Sequence, residues 1–569
     1  MEEHAAGHSG QQDGGHGKIE IDIKALRKHW PLILLCLIVV FGFYLRAYHI
    51  DYPVIGYHNW KETHYLTEAR NFAQHGFFAY GFFAPEHDYP NIAWDPSGAH
   101  SDTFPTLPII IGLLFKITGP SLLAARLVSI LFNTAAIIFM YLFMKEAMGR
   151  EDMALVSAVL FAIAPLFTFF SHNVDLINPG VFFMLAGAYY YLRWRRTDLT
   201  QDFVLAISFS VIAFLTKYTF GIIAVPILLT FPWKKCLDYR KYKTEYAVAG
   251  ALVAATLGWM WYANEVLVKY SVGAKVAREG LIRLDVIFTP QWIAAMKSYI
   301  ADNYTMIGFY FALAGALLFL VIYLKSKAKT LGRHFIAASL LSVVFFVLLM
   351  AQKLGGHSYH QYPVAPFVLA MIAFAFVIIA QNIARNVQQL IKMHYVNALI
   401  LIAFLLLVWS PASEARNRQY DTQFIGLDVA GEYIKEHSAP QERIIHSGHQ
   451  DYGIFWHASR KGIDGGIPDV GGIKFAEESL NVSWIFMYQW GMQEMQNPEK
   501  WGYIKDNYRL AQFAFRETPQ GPQAVYMLFK KGGTFDESRI NDLVAGKPIQ
   551  SRTYELTTGT VEMQYIDIS

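Results

Sequence analysis

Long apolar runs separated by short polar connectors dominate the first 410 residues of the chain. They fall near 31–48, 120–144, 153–171, 179–194, 202–216, 219–233, 246–267, 304–324, 335–351, 363–381 and 396–410. A hydrocarbon core roughly 30 Å thick needs about 20 residues of apolar helix to cross it, so the pattern predicts about eleven membrane spans. One further run, 104–118, is short and carries Pro105, Pro108 and Gly112; it is expected to lie along the interface as a juxtamembrane helix. From residue 411 onward charged residues, glycines and short mixed segments replace the long runs. Residues 426–437 are patterned as an amphipathic helix, 443–447, 482–489 and 523–530 as strands, and 448–453 as a loop. The expected fold is therefore a polytopic α-helical membrane domain over 31–410, preceded by a tail over 1–30 and followed by a soluble α/β domain over 411–569.

Composition agrees. Of 569 residues 54% are hydrophobic and only 16% charged, too apolar for an ordinary soluble domain. A net charge of +3 gives nucleic-acid binding no electrostatic support, and two cysteines, Cys36 and Cys236, make no disulfide framework. The first 17 residues, with His4, His8 and His16, read as a solvated, disordered tail. Lys18, Lys24, Arg27 and Lys28 then precede the first apolar run, which looks like a retained anchor rather than a cleaved signal.

Charge also orients the spans. With 104–118 outside the hydrocarbon, Lys145/Arg150, Arg193/Arg195/Arg196, Lys234/Lys235/Arg240/Lys241/Lys243, Lys325/Lys327/Lys329/Arg333 and Arg385/Lys392 all fall on the side of the basic N-terminus. The positive-inside rule makes that side cytoplasmic. Residues 49–119, 172–178, 268–303, 352–362 and everything after 411 are then extracytoplasmic, in a cell inner membrane.

The polar residues of that outer face are the candidates for chemistry. The first loop offers His58, Lys61, Glu62, His64, Asp88, Asp95 and Asp102. Asp175 precedes one span, Lys217 lies in the turn Thr216-Lys217-Tyr218, and His357, His360 and Tyr362 approach another span. Each has a plainer use: Glu62 in a local ion pair, Asp175 as a helix cap, Lys217 as an interfacial lysine, the histidines as packed groups. No spacing among them resembles a known metal-ligand set. Jointly they suit attack by a hydroxyl on an activated lipid-linked sugar, with a carboxylate as general base and cations on the departing phosphate.

The order of these pieces resembles the GT-C superfamily of polyprenyl-phosphate-sugar-dependent glycosyltransferases, in particular the family 39/83-like branch with protein O-mannosyltransferases and the lipid A aminoarabinose transferase. Trp60-Lys61-Glu62-Thr63-His64-Tyr65-Leu66-Thr67-Glu68-Ala69-Arg70 is similar to the acidic first-loop motif of that branch. Thr103 to Pro108 resembles its proline-bearing juxtamembrane segment, Ala124–Leu127 its Ala-Ala-Arg-Leu span start, and Leu215-Thr216-Lys217 its turn. The resemblance covers roughly 30–380 and departs at Lys61, which stands where many relatives carry the catalytic aspartate. It implies transfer of a sugar from a polyprenyl-phosphate donor to a lipid, glycan or protein hydroxyl, with inversion. Glu62, then Asp102 or Asp175, is the expected base. His58, Lys61, His64, Lys217, His357, His360 and Tyr362 are expected to bind lipid phosphate or sugar. No cofactor is expected, the branch being metal-independent, with a divalent cation left open.

Two other classes compete. A transporter or flippase for lipid-linked sugars predicts inverted repeats and broken spans with midplane charge, neither of which is evident here. A membrane scaffold leaves the charges in four separate loops unexplained. Within the enzymes, an oligosaccharide ligase is the nearest competitor.

Overall fold

The computed structural model describes residues 23–91, 98–99, 103–266, 283–327, 329–391 and 395–568. The tail over 1–17, Asp95, Asp102 and most of the first half of the expected loop 268–303 lie outside these residues.

Among the described residues seven helices are long and apolar enough to cross a membrane: His29–Arg46, Leu122–Met148, Lys243–Val266, Met306–Lys325, Leu331–Leu349, Ala365–Gln388 and Val396–Tyr420. Their ends follow local chemistry. Ser121 accepts the Ala124 N–H at the start of Leu122–Met148, and Gly149 closes that helix with a left-handed φ of 65°. Thr305 and Thr330 cap the helices that follow them.

The remaining predicted spans take shorter forms. Pro165, which has no N–H to donate, divides the run 153–171 into Glu151–Ile163 and Pro165–Phe170. The run 179–194 lies in Ile177–Thr197, and 202–216 in the 17-residue helix Thr200–Thr216. The run 219–233 opens as a 3-10 turn, Tyr218–Ile223, before Ala224–Thr230. Phe161, Phe167, Phe143, Trp194, Phe335 and Phe376 fill the core between these helices. The protein is a polytopic helical membrane protein.

Thr106–Thr118 has only 13 residues, about 20 Å of helix at 1.5 Å per residue, and is too short to cross. It buries Leu107, Ile111 and Phe115 and exposes Leu113 and Ile117 on its other side. Gly112 sits against Phe72 and the Ala69 carbonyl of the loop helix Asn59–His75, where a Cβ would press on both.

The C-terminal domain is one seven-stranded sheet. Its strands are β1 (Arg443–His446), β2 (Gly462–Ile463), β3 (Val482–Tyr488), β4 (Tyr508–Thr518), β5 (Gly521–Lys531), β6 (Gln550–Leu556) and β7 (Gly559–Asp567), in the order β2-β1-β3-β5-β4-β7-β6. β1 runs parallel to β2 and β3, and the other pairings are antiparallel. Alternate residues serve two cores. Ile444, Trp484 and Phe486 pack with Leu427–His437 and Gly453–Ala458 on one face. Ile445, Ile485 and Met487 pack with Val470–Leu480 and Pro498–Asn507 on the other.

The sheet domain is built onto the first loop. The Gly462 N–H donates to the Asp88 carbonyl at 2.7 Å and the Asp464 N–H to the Pro90 carbonyl at 3.0 Å, so residues 88–90 cover the β2 edge. The Asn59 amide donates to the Gln450 carbonyl at 2.7 Å and its oxygen accepts the Gly453 N–H at 3.1 Å. The Phe424 N–H donates to the Ile55 carbonyl at 2.7 Å. Gly453 lies so close to the Val54 carbonyl that no larger residue fits there.

Candidate active site

The loop helix Asn59–His75 starts at His58, whose φ of 63° is left-handed without a glycine's freedom. The turn wedges the imidazole between Tyr57, Tyr359 and His357, with ring centroids at 4.0, 5.1 and 5.1 Å. The Trp60 indole N–H donates to His58 Nδ1 at 3.2 Å. Nδ1 is thus the accepting nitrogen and the proton sits on Nε2, which is buried without a hydrogen-bond partner among the described residues.

Lys61 follows on the same helix, its ammonium 4.3 Å from the Trp60 ring and 5.8 Å from Tyr65. Lys217 ends Thr200–Thr216 in extended conformation. Its ammonium lies 4.7 Å from the Tyr359 ring and 3.9 Å from Asp175 Oδ1. Asp175 is itself buried and also accepts the Ile177 N–H at 3.2 Å. Lys353, on the short helix Ala351–Gly356, and His357 and His360 complete the group.

Trp60, Lys61, Lys217, Lys353, His357 and His360 line one cavity of about 1410 Å³. It runs beside Thr200–Thr216 from Phe203 to Lys217, a length of about 20 Å. Away from the lysines its walls are apolar, with Ile207, Phe214, Leu228, Val253, Leu257 and Phe346. The cavity is therefore an oily trough with a cationic head.

The head's charge sits on the lysines. Burial, with Lys61, Lys217 and Lys353 nearby, pushes the His357 imidazolium down to about 4. Burial and neighbouring positive charge hold His58 and His360 well below the ordinary histidine range as well. Burial raises the Tyr359 phenol well above its ordinary value, so it stays neutral.

Of the sequence candidates, His58, Lys61, Asp175, Lys217, His357 and His360 come together. Three do not join them. Glu62, the first choice for a base, is turned into the bundle: Arg126 Nε and Nη2 donate to its two oxygens at 2.7 and 2.8 Å. Burial alone would raise its carboxyl, but the guanidinium outweighs that and holds it below the usual range. Arg126 is spent as well, donating to the carbonyls of His49, Ile50 and Tyr52. A carboxylate so enclosed cannot reach an acceptor hydroxyl in the cavity, which corrects the expectation for Glu62. His64 faces the sheet domain instead, 3.0 Å from Glu68 and 3.0 Å from the Tyr89 hydroxyl. Tyr362 is fully buried between Asn178 and Asn133, its hydroxyl at 3.0 and 2.9 Å. Asp102 lies outside the described residues. Lys353 was not among the residues expected to bind phosphate or sugar, although it lies in the same outer loop as His357 and His360. Among the described residues no three His, Cys, Asp or Glu side chains converge to hold a metal ion.

Residues 100–261 match the family described as dolichyl-phosphate-mannose-protein mannosyltransferase. Solved structures share the fold over most of the chain. The oligosaccharyltransferase AglB from Archaeoglobus fulgidus, in complex with an inhibitory peptide and a dolichol-phosphate, is 15% identical with a TM-score of 0.56 over 88% of this chain and 74% of that one. ArnT from Cupriavidus metallidurans bound to undecaprenyl phosphate is 12% identical, with a TM-score of 0.57 over 88% of this chain and 98% of that one. The arabinofuranosyltransferase AftD from Mycobacteria is 12% identical, with a TM-score of 0.50 over 92% of this chain and 41% of that one. A sequence comparison with curated proteins finds no match. The chain has the fold that these structures share.

Proposed function

We propose that the protein is a membrane glycosyltransferase that moves a sugar from a polyprenyl-phosphate donor to a hydroxyl of a lipid, glycan or protein on the extracytoplasmic side of the inner membrane. The observation that carries this reading is the cavity, whose apolar trough suits an isoprenoid chain and whose lysine head suits its phosphate. AglB and ArnT, which share the fold, are seen with dolichol-phosphate and undecaprenyl phosphate.

In the proposed reaction the acceptor oxygen attacks the anomeric carbon from the face opposite the phosphate. The bond from that carbon to the phosphate oxygen breaks, its electron pair stays on the phosphate, and the configuration inverts. Asp175 receives the acceptor proton, being the described candidate carboxylate that meets a cavity cation. Lys61 and Lys217 stabilise the departing phosphate, with no metal cofactor in the scheme.

The test is transfer in liposomes from a panel of polyprenyl-phosphate sugars. Wild type is expected to consume at least one donor, and Lys217→Ala to lower kcat/KM for it by about tenfold or more, the scale of one lost charge-assisted contact in a dry site. Consumption of no donor, or full activity of Lys217→Ala, would overturn the reading.

A further inference from the structure

The cavity head carries more positive charge than a sugar-linked donor can use. Lys61, Lys217 and Lys353 all line it, and all three act on His357 and His360. Facing them is the Asp175 carboxylate, near Lys217. Lys61 and Lys353 meet no carboxylate among the described residues. His58, His357, His360 and Tyr359 complete the titratable groups around the phosphate position. The imidazoles are neutral at pH 7, leaving an excess of two positive charges among the described residues.

A sugar joined to a polyprenyl phosphate is a phosphodiester with one negative charge. Once the sugar leaves, the polyprenyl phosphate is a monoester that carries two above its second ionisation, about pH 6 for an alkyl phosphate. We propose that the head is matched to the product: Lys353 supplies the third positive charge, and the site binds the monoester dianion more tightly than the monoanionic diester. Charge that grows on the phosphate as the bond to the sugar breaks is then met by a lysine already in place. The donor arrives under-neutralised and the leaving group departs fully matched, which favours the transition state over the ground state. The same matching makes spent carrier a competitive inhibitor. Burial and neighbouring charge depress all three imidazoles, His357 to about 4, so the pH dependence of this preference is assigned to the phosphate.

This inference rests on the donor reading above, and binding separates the two. The probes are farnesyl phosphate and its methyl diester, titrated against the full chain in nanodiscs. At pH 8 wild type is expected to favour the monoester by about tenfold, the scale of one matched charge pair. At pH 5 both probes are monoanions and the preference is expected to vanish. Lys353→Met should weaken monoester binding more than diester binding and so erase the preference at pH 8, and Lys353→Arg should restore it. Equal binding of the two probes by wild type at pH 8, or a preference intact in Lys353→Met, would overturn the proposal with the donor reading standing. Failure of both probes to bind would overturn both.

Discussion

Two clusters of charge lie within a few residues of each other on the loop helix, and they have opposite characters. Glu62 and Arg126 form a closed unit: two short hydrogen bonds join them, three carbonyls take what remains of the guanidinium, and both residues are buried. Lys61, Lys217, Lys353 and the histidines form an open one, with more cations than acids and a cavity in front of them. A buried charge must be matched somewhere. In the first cluster the match is inside the protein, so its work is to hold the loop helix against the bundle. In the second the described residues leave positive charge over, and it faces the cavity.

The largest effect should come from breaking the closed cluster. Glu62→Gln leaves the Arg126 guanidinium buried without its counter-charge, and removal of one member of such a pair costs about 3–5 kcal/mol. Unfolding in detergent should register that loss, whereas the fraction that stays folded should keep donor binding. Next comes Asp175→Asn in the open cluster. Loss of a general base should lower turnover by about a hundredfold or more with donor affinity retained, measured by single-turnover transfer. Turnover near wild type would move the base elsewhere, Asp102 being the next candidate.

Acid should give the smallest effect, and it touches both clusters. Burial, with Arg126 nearby, holds His172 down to about 4, and burial likewise brings His357 and His457 to about 4. Their ordinary value is near 6.5, so below it the unfolded chain takes up protons that the folded one refuses. The stability these groups contribute is full above about pH 6.5 and is lost progressively as pH falls toward 4. A series of melting temperatures between pH 7.5 and 4.5 should decline accordingly. A flat profile would mean that these imidazoles are more open to water than their packing implies.

Much of the fold was legible because hydropathy and helix length report directly on a bilayer. The strands at 443–447, 482–489 and 523–530 were legible because they are apolar runs in a polar domain, and they appear as β1, β3 and β5. Strand β4 escaped, since Tyr508–Thr518 mixes charged and apolar residues, and so did β6 and β7, whose faces are largely exposed. At the site, assigning the loops to one side was enough to bring Asp175, Lys217 and His357 together. It could not separate Glu62 from Lys61. Which neighbour turns inward depends on Arg126, 64 residues away, and an arginine at a span start looks like an interfacial residue until its partner is seen.

The short edge strand β2, covered by residues 88–90 of the first loop, also sets an order of assembly. The sheet domain completes its sheet with backbone synthesised long before it. Until the first loop is in place, that edge has unpaired amides to offer to any passing strand. Correct insertion of the earliest helices thus becomes a condition for closing the sheet, and the finished sheet in turn grips the loop that carries Lys61. Membrane insertion, domain folding and assembly of the lysine head are successive stages of one maturation, so a chain that has not finished folding has no complete lysine head.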